Sequence, residues 1–417
     1  MTNPQTTDSR WAMYQSLFIP VYLPSFLMSI CQGAALLLIP LYALEVGGSP
    51  AAAAMIFACR GLGNMVADIP AGYAAQKLGD AWVMRVGVGL MVAASLGAAS
   101  ADGLAELALF TFVIGLSMAT WLLARLTFIS DSVPTAFRGQ ALSSLAGLQR
   151  VGNFLGPVIG GYLVFHSSYT VAFVAIAGLS GLTLAILVLT AIRSRAQPQR
   201  SINADHRHDQ ASPQRSSQSL WALLKRHQTI FMTAGTVVFL LTLLRAARTL
   251  LVPLWGAYLG LNPAEIGMVV GISAAIDMML FPAAGLIMDL YGRRVAGMGC
   301  LGLLSSGVLL IAFTDSLLMF TLAACFAGAG NGIGSGINMT LGTDFAPVNE
   351  RGPFLGTWRL IGDAGSLVGP SLVAAIAGSI GLGPSILASA ALGYLGLGVM
   401  AVFVPETLTK IEKSRDD

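Results

Sequence analysis

The chain has 417 residues, 55% of them hydrophobic and only 10% charged, where a soluble domain carries about 25% charged residues. That excludes a soluble enzyme, a nucleic-acid-binding protein and a disordered protein, while the 48 glycines suit membrane helices, in which glycine lets backbones approach closely. The net charge is only +3, so the placement of the charges carries more information than their sum.

An apolar run of about 20 residues crosses a bilayer. Twelve such runs follow one another at 16–44, 51–75, 82–100, 104–129, 139–165, 170–192, 229–259, 264–288, 295–313, 317–342, 353–379 and 385–404. The residues before the first run are polar, and that run is too long for a signal-peptide core, so no cleavage is expected. An even number of spans puts both termini on one side, and positive charge identifies that side as the cytoplasm. Seventeen of the 23 lysines and arginines then fall in cytoplasmic segments, whereas the opposite loops hold Glu45, Asp102, Glu265 and Asp315 and neither Lys nor Arg. The expectation is a multi-pass protein of the plasma membrane (a bacterial inner membrane) with both termini cytoplasmic. Cys31, Cys59, Cys300 and Cys325 all lie within apolar runs, which argues against a disulfide framework.

One connecting segment is long. Residues 193–228 are rich in Ser, Gln, Arg and Pro and read as a linker. They divide the chain into an N-terminal bundle (1–192), the linker, a C-terminal bundle (229–405) and a tail (406–417). His206 and His208 in the linker have no ligand cluster beside them, so neither a metal nor a cofactor is expected.

The two bundles repeat at one fixed offset of 213 positions. Pro40 falls on Pro253, Pro50 on Pro263, Gly72 on Gly285 and Gly79 on Gly292. Asp131 then meets Asp344, Pro134 meets Pro347, Arg138 meets Arg351, and Gly152, Gly156 and Pro157 meet Gly365, Gly369 and Pro370. A six-plus-six chain with parallel repeats and a cytoplasmic linker resembles the major facilitator superfamily over nearly its whole length. The resemblance implies an all-α polytopic membrane protein of twelve transmembrane helices in two six-helix bundles. These rock about a central site to move a small-molecule substrate.

The local motifs follow the family with exceptions. Its Gly-x-x-x-Asp-x-x-Gly-Arg-Arg loop is intact after the eighth span (Gly285, Asp289, Gly292, Arg293, Arg294). After the second span, Gln76 stands at the acid position and is followed by Lys77. An acid there can pair with Arg and with a neighbouring helix N-terminus, so the resemblance implies a one-sided gate; plain topology-setting charges are the alternative. Asp131, Arg138, Asp344 and Arg351 are its further candidate members. In the fifth span, Gly152, Gly156, Pro157, Gly160 and Gly161 are similar to the motif of proton-coupled exporters. Two departures weaken a multidrug reading: Thr111, not Arg, precedes Gly115 by four, and the first span has no acid between Leu17 and Leu44.

Six arginines and three aspartates lie within spans: Arg60, Arg125, Arg150, Arg245, Arg248, Arg359, Asp68, Asp277 and Asp363. A charge at the bilayer centre costs at least about 2.5–3.5 kcal/mol and marks a pathway by default. Arg60, Asn64 and Asp68 follow one helix face, and Arg359 and Asp363 are one turn apart. Arg150 is expected to pair with Asp277, and Asp68 or Arg60 with the eleventh span. Arg245 and Arg248 are three apart and predicted to face one ligand. Their repeat counterparts are Gln32 and Ala35, so the positive charge is not a demand of the fold. Trp121 beside Arg125 is either a cation–π partner or a substrate platform. Asn331 and Asn338, seven apart, are expected on one face.

The excess of arginine points to an anionic, zwitterionic or amphipathic organic substrate. The leading expectation is proton-coupled export by a monomer, with Asp68, Asp277 or Asp363 exchanging the proton. An importer or facilitator of an organic anion, a multidrug exporter and, remotely, a non-transporting receptor are the alternatives.

Overall fold

The computed structural model describes residues 17–133, 135–196 and 220–408. In chain order the long helices are α1 (Phe18–Glu45), α2 (Pro50–Leu78), α3 (Asp80–Ala99), α4 (Leu104–Ser132), α5 (Thr135–His166) and α6 (Tyr169–Ala196). The second bundle has α7 (Gln228–Tyr258), α8 (Pro263–Leu290), α9 (Arg293–Ile311), α10 (Leu317–Phe345), α11 (Arg351–Ser379) and α12 (Leu382–Phe403). There is no strand among the described residues. In a bilayer only helices satisfy the backbone within one segment. Eleven of these helices are long and apolar enough to cross a membrane. The exception, α5, has 32 residues, about 48 Å at 1.5 Å per residue, but includes Arg138, Gln149, Arg150 and Asn153.

Each expected span coincides with one helix, with ends moved by a few residues. The repeat is visible in backbone geometry as well as in sequence. A π-helical turn opens α1 at Phe18–Tyr22 and α7 at Phe231–Gly235, the same place in each half. Gly47 (φ 87°) matches Gly260 (φ 74°), and Gly79 (φ 85°) matches Gly292 (φ 101°). Ser49 and Asn262 cap the helices begun by Pro50 and Pro263, where proline's missing N–H costs nothing.

One element breaks the repeat. Helix α4 is continuous, but α10 stops at Ile333 and restarts at Ile337. Gly330, Gly332, Gly334 and Gly336 alternate here, and Gly336 turns left-handed at φ 83°. Leu123 stands at the corresponding place in α4. The expectation that Asn331 and Asn338 share a face is therefore corrected, because seven-residue spacing holds only along an unbroken helix.

Two segments read as unstructured polar chain are ordered where described. Leu220–Arg226 of the linker forms a short helix with Leu223 buried, and the first tail residues, Glu406 and Thr407, make specific contacts. His206 and His208 lie outside the described residues.

The linker and the connections around residues 79, 134, 292 and 347 define a linker face, and the connections around 47, 101, 167, 260, 314 and 381 define a far face. The halves meet along α5–α8 and α2–α11, with α1 against α7. At the far face, Leu37, Leu41 and Ile266 form a buried cluster joining the halves. Gly161 abuts Pro263 and Gly267 so closely that neither glycine could carry a side chain.

Candidate functional site

At the α5–α8 seam, Arg150 Nη1 donates to Asp277 Oδ1 at 2.6 Å and Arg150 Nη2 to Ser335 Oγ at 2.7 Å. Asn331 Nδ2 donates to the other carboxylate oxygen at 2.5 Å, and the guanidinium lies 4.3 Å over the Phe281 ring. Gly332 brings α10 against the Asp277 backbone. Both oxygens of Asp277 are thus held from two different helices. Arg150 and Asp277 are predicted partners that the structure brings together; Ser335 and Phe281 are additions the sequence did not announce.

At the α2–α11 seam, Arg359 bridges two carboxylates, with Nη2 2.7 Å from Asp68 Oδ1 and Nε 3.5 Å from Asp363 Oδ2. The offset of 213 places Asp363 on Arg150 and Asn64 on Asp277. The two seams are related by the repeat yet carry inverted chemistry.

The other four intramembrane arginines have no carboxylate within ion-pair distance among the described residues. Arg248 donates to Ser273 Oγ at 2.6 Å and lines a cavity of about 190 Å³ with Gly33, Asn153, Asp277 and Asn331. Arg245 instead donates to the Gly334 carbonyl at 2.9 Å and lies 3.8 Å from Cys300 Sγ. The expected fork is not formed: the helix break in α10 frees a carbonyl that captures Arg245. Arg125 donates to Gln149 Oε1 at 3.2 Å and sits 5.9 Å from the Trp121 ring centroid. Trp121 is only 1% exposed, which removes the platform reading and leaves the cation–π one. Arg60 stacks 4.8 Å over Phe57.

A second cavity of about 150 Å³ is lined by Gln32, Asn64, Asp68, Arg125, Gln149 and Asp363, and a third of about 300 Å³ by Gln149, Arg150, Asn153, Asp277 and Asn331. Asn338 is not part of them; its carbonyl accepts from Trp358 Nε1 at 2.8 Å.

At the linker face, Asp289 is 3.6 Å from Arg293, but Asp344 is nearer at 3.1 Å and also accepts from Thr407 at 2.6 Å. Glu406 caps α9, accepting the backbone N–H of Arg293 at 2.8 Å and of Arg294 at 3.0 Å. Burial pushes its carboxyl up, but N–H groups of Leu408, Arg293, Arg294 and Thr407 outweigh that and hold it below the ordinary range. The Arg294 side chain bonds the Ala401 carbonyl. In the first half, Lys77 lies 4.5 Å over the Tyr73 ring, Gln76 is exposed, and Arg138 Nε is buried without a partner. Arg351 is exposed at the start of α11; the side chain of Asp131 lies outside the described residues. Glu350, unpredicted, takes Arg226 and, at 3.0 Å, His227 of the linker end.

The α5 glycines act as contact points. Gly152 and Gly156 receive the α1 backbone at Ser29 to Ala34, Pro157 meets Gly33, Gly160 meets Ala34, and Gly161 meets α8. Close approach of small residues is how membrane helices pack without a hydrophobic driving force.

Two repeated bundles that seal at one face around buried charges have the architecture of a polytopic membrane transporter. A family model described as the Major Facilitator Superfamily matches residues 21–247 and 234–417, and the chain belongs to that family. It is 24% identical to the multidrug resistance protein MdtL of Klebsiella pneumoniae, over 71% of this chain and 79% of that protein. It is also 24% identical to the cis,cis-muconate transport protein of Acinetobacter baylyi, over 92% and 94%. Among solved structures, a D323A mutant of the nucleoside transporter NupG superposes with a TM-score of 0.75 at 12% identity, covering 93% of this chain and 100% of that one. At that identity the likeness concerns the fold.

Proposed function

We infer that the chain is a secondary active transporter of a small organic anion, working by alternating access and coupled to protons in the direction of export. The observation that carries this reading is Arg248: a cavity-lining guanidinium, held by Ser273 at 2.6 Å, with no carboxylate of its own. A carboxylate or phosphate docking there gains charge-assisted hydrogen bonds. The muconate transport protein is a relative whose named substrate is a carboxylate, which supports the anion; MdtL is named for multidrug resistance, which keeps export of drugs as the second reading. Positive charge on the linker face supports cytoplasmic termini in a bacterial inner membrane, and the sealed far face then corresponds to a cavity reached from the cytoplasm. Asp277 is the proposed coupling carboxylate, because its protonation would release Arg150 and Asn331 together.

Proteoliposomes with an imposed pH gradient, screened with organic anions and lipophilic cations, test the reading. Gradient-driven anion flux that Arg248→Ala lowers at least tenfold is the expected result. Flux of cations alone, indifferent to that substitution, would favour the multidrug reading.

A further inference from the structure

Beside the α2–α11 seam, toward the linker face, lies a groove of about 540 Å³ whose walls are Met65, Ile69, Pro353, Gly356, Thr357 and Leu360. Leu223 of the linker helix and Glu350 close its foot, and Asp68, Arg359 and Asp363 form its head. The lining is predominantly apolar, and Ile69 is 83% and Leu360 41% exposed, so the flank is open. Asp68, Arg359 and Asp363 also line the 150 Å³ cavity with Gln32 and Asn64. This ion-pair cluster is therefore a partition between an apolar groove at the protein's flank and the polar interior.

The partition has two carboxylates and one guanidinium, so its charge is negative when both acids are ionised. Glu350 at the foot is already engaged by Arg226 and His227. Behind the partition, Asn64 Oδ1 is buried with no hydrogen-bond partner, a second acceptor awaiting a donor. At the repeat-related seam Arg150 stands where Asp363 stands here, so one guanidinium meets one carboxylate there and two here. Here a surplus of acceptors meets an apolar channel of the size that holds drug-like molecules, roughly 300–1,000 Å³.

We propose that the groove binds a small amphipathic amine, its ammonium on Asp68 and Asp363 in place of Arg359 and its apolar body along Met65, Ile69 and Leu360. Displacing Arg359 breaks the ion pair between α2 and α11, so the amine loosens this seam as it binds. The site is separate from the arginine-lined cavity and does not depend on the anion reading; transport by Arg248→Ala reports on that reading alone.

The test uses the full chain in phosphatidylcholine nanodiscs with 4-phenylbutylamine, its neutral analogue 4-phenylbutanol and the anion 4-phenylbutyrate, binding being read by thermal shift. The amine should bind at least tenfold more tightly than the alcohol or the acid. Asp68→Asn and Asp363→Asn should each weaken it about tenfold, and Ile69→Trp, which fills the groove without altering charge, should weaken it as well. Arg359→Gln should preserve or tighten binding, since it removes the internal competitor. If the aspartate variants do not fold, alkylation of Ile69→Cys gives a second readout: the amine should slow it at least fivefold and the alcohol should not. Equal shifts by amine and alcohol, loss of binding in Arg359→Gln, or unprotected alkylation would overturn the proposal. So would competition by added phosphatidylethanolamine, which would make the groove a lipid site.

Discussion

Asp277 accepts from Arg150 and Asn331 and stands one hydrogen bond from Ser335 through the same guanidinium. Removing its charge leaves Arg150 half-buried (22% exposed) with neutral acceptors and the Phe281 ring but no anion. Unpaired buried ions cost about 3–5 kcal/mol; at this exposure we expect about 2 kcal/mol from Asp277→Asn, with loss of pH-driven transport. Adding Arg150→Gln should recover most of the stability and none of the coupling, which thermal denaturation and flux together would check. The pairing itself was legible in the sequence, because both residues lie about a dozen positions into spans the resembled fold places side by side. The Arg245–Arg248 fork was misjudged for a specific reason. Helical spacing fixes the direction of a Cα–Cβ bond, but a long arginine goes to the strongest acceptor within reach, and the broken α10 offers one at Gly334.

At the scale of elements, α10 is where the repeat parts from itself. Gly336 sits at φ 83°, where a Cβ costs about 1–2 kcal/mol. Gly336→Ala should destabilise by that amount and disturb the approach of Ser335 to Arg150, while Gly89→Ala, with open space at its Cβ, should have little effect; thermal melts of both separate backbone strain from generic glycine loss. The alternating glycines were visible in the sequence, yet glycine is common in membrane helices and no local rule says which run will break. The cap on α9 is a second device of this scale. Glu406 is held below the usual carboxylate range, so its contribution is complete above the unfolded value of about 4.3 and lost as pH falls through the lower folded value. The melting temperature of Glu406→Gln should therefore lie below wild type at pH 7 and converge with it in acid. Failure to converge would mean that the side chain's size, and not its charge, matters there. A carboxylate arriving from 113 positions away in sequence could not be assigned to this helix end without the fold.

For the molecule as a whole, spans, repeat and fold class were readable because a bilayer imposes length and apolarity on each crossing, and duplication leaves matching prolines and glycines. The proposed sidedness rests on charge, and a cysteine-reactive probe that cannot cross membranes should fail to label a Cys placed in 193–228 in intact cells; labelling would reverse the orientation. What the sequence could not give was which donors meet which acceptors across the seams, since these depend on how two bundles close.

The inverted seams bear on the chain's ancestry. Suppose two N-terminal bundles met as the real halves do: Arg150 of one copy would face Asn64 of the other, with Asp68 one turn on at the place Phe281 holds in the real seam. Two C-terminal bundles would set Asp363 against Asp277, carboxylate against carboxylate. The real combination sets one guanidinium against one carboxylate at the first seam and one between two at the second, so the duplicated halves have become unlike partners. Expressed as separate fragments, the halves should co-purify with each other, and the C-terminal half should not co-purify with copies of itself.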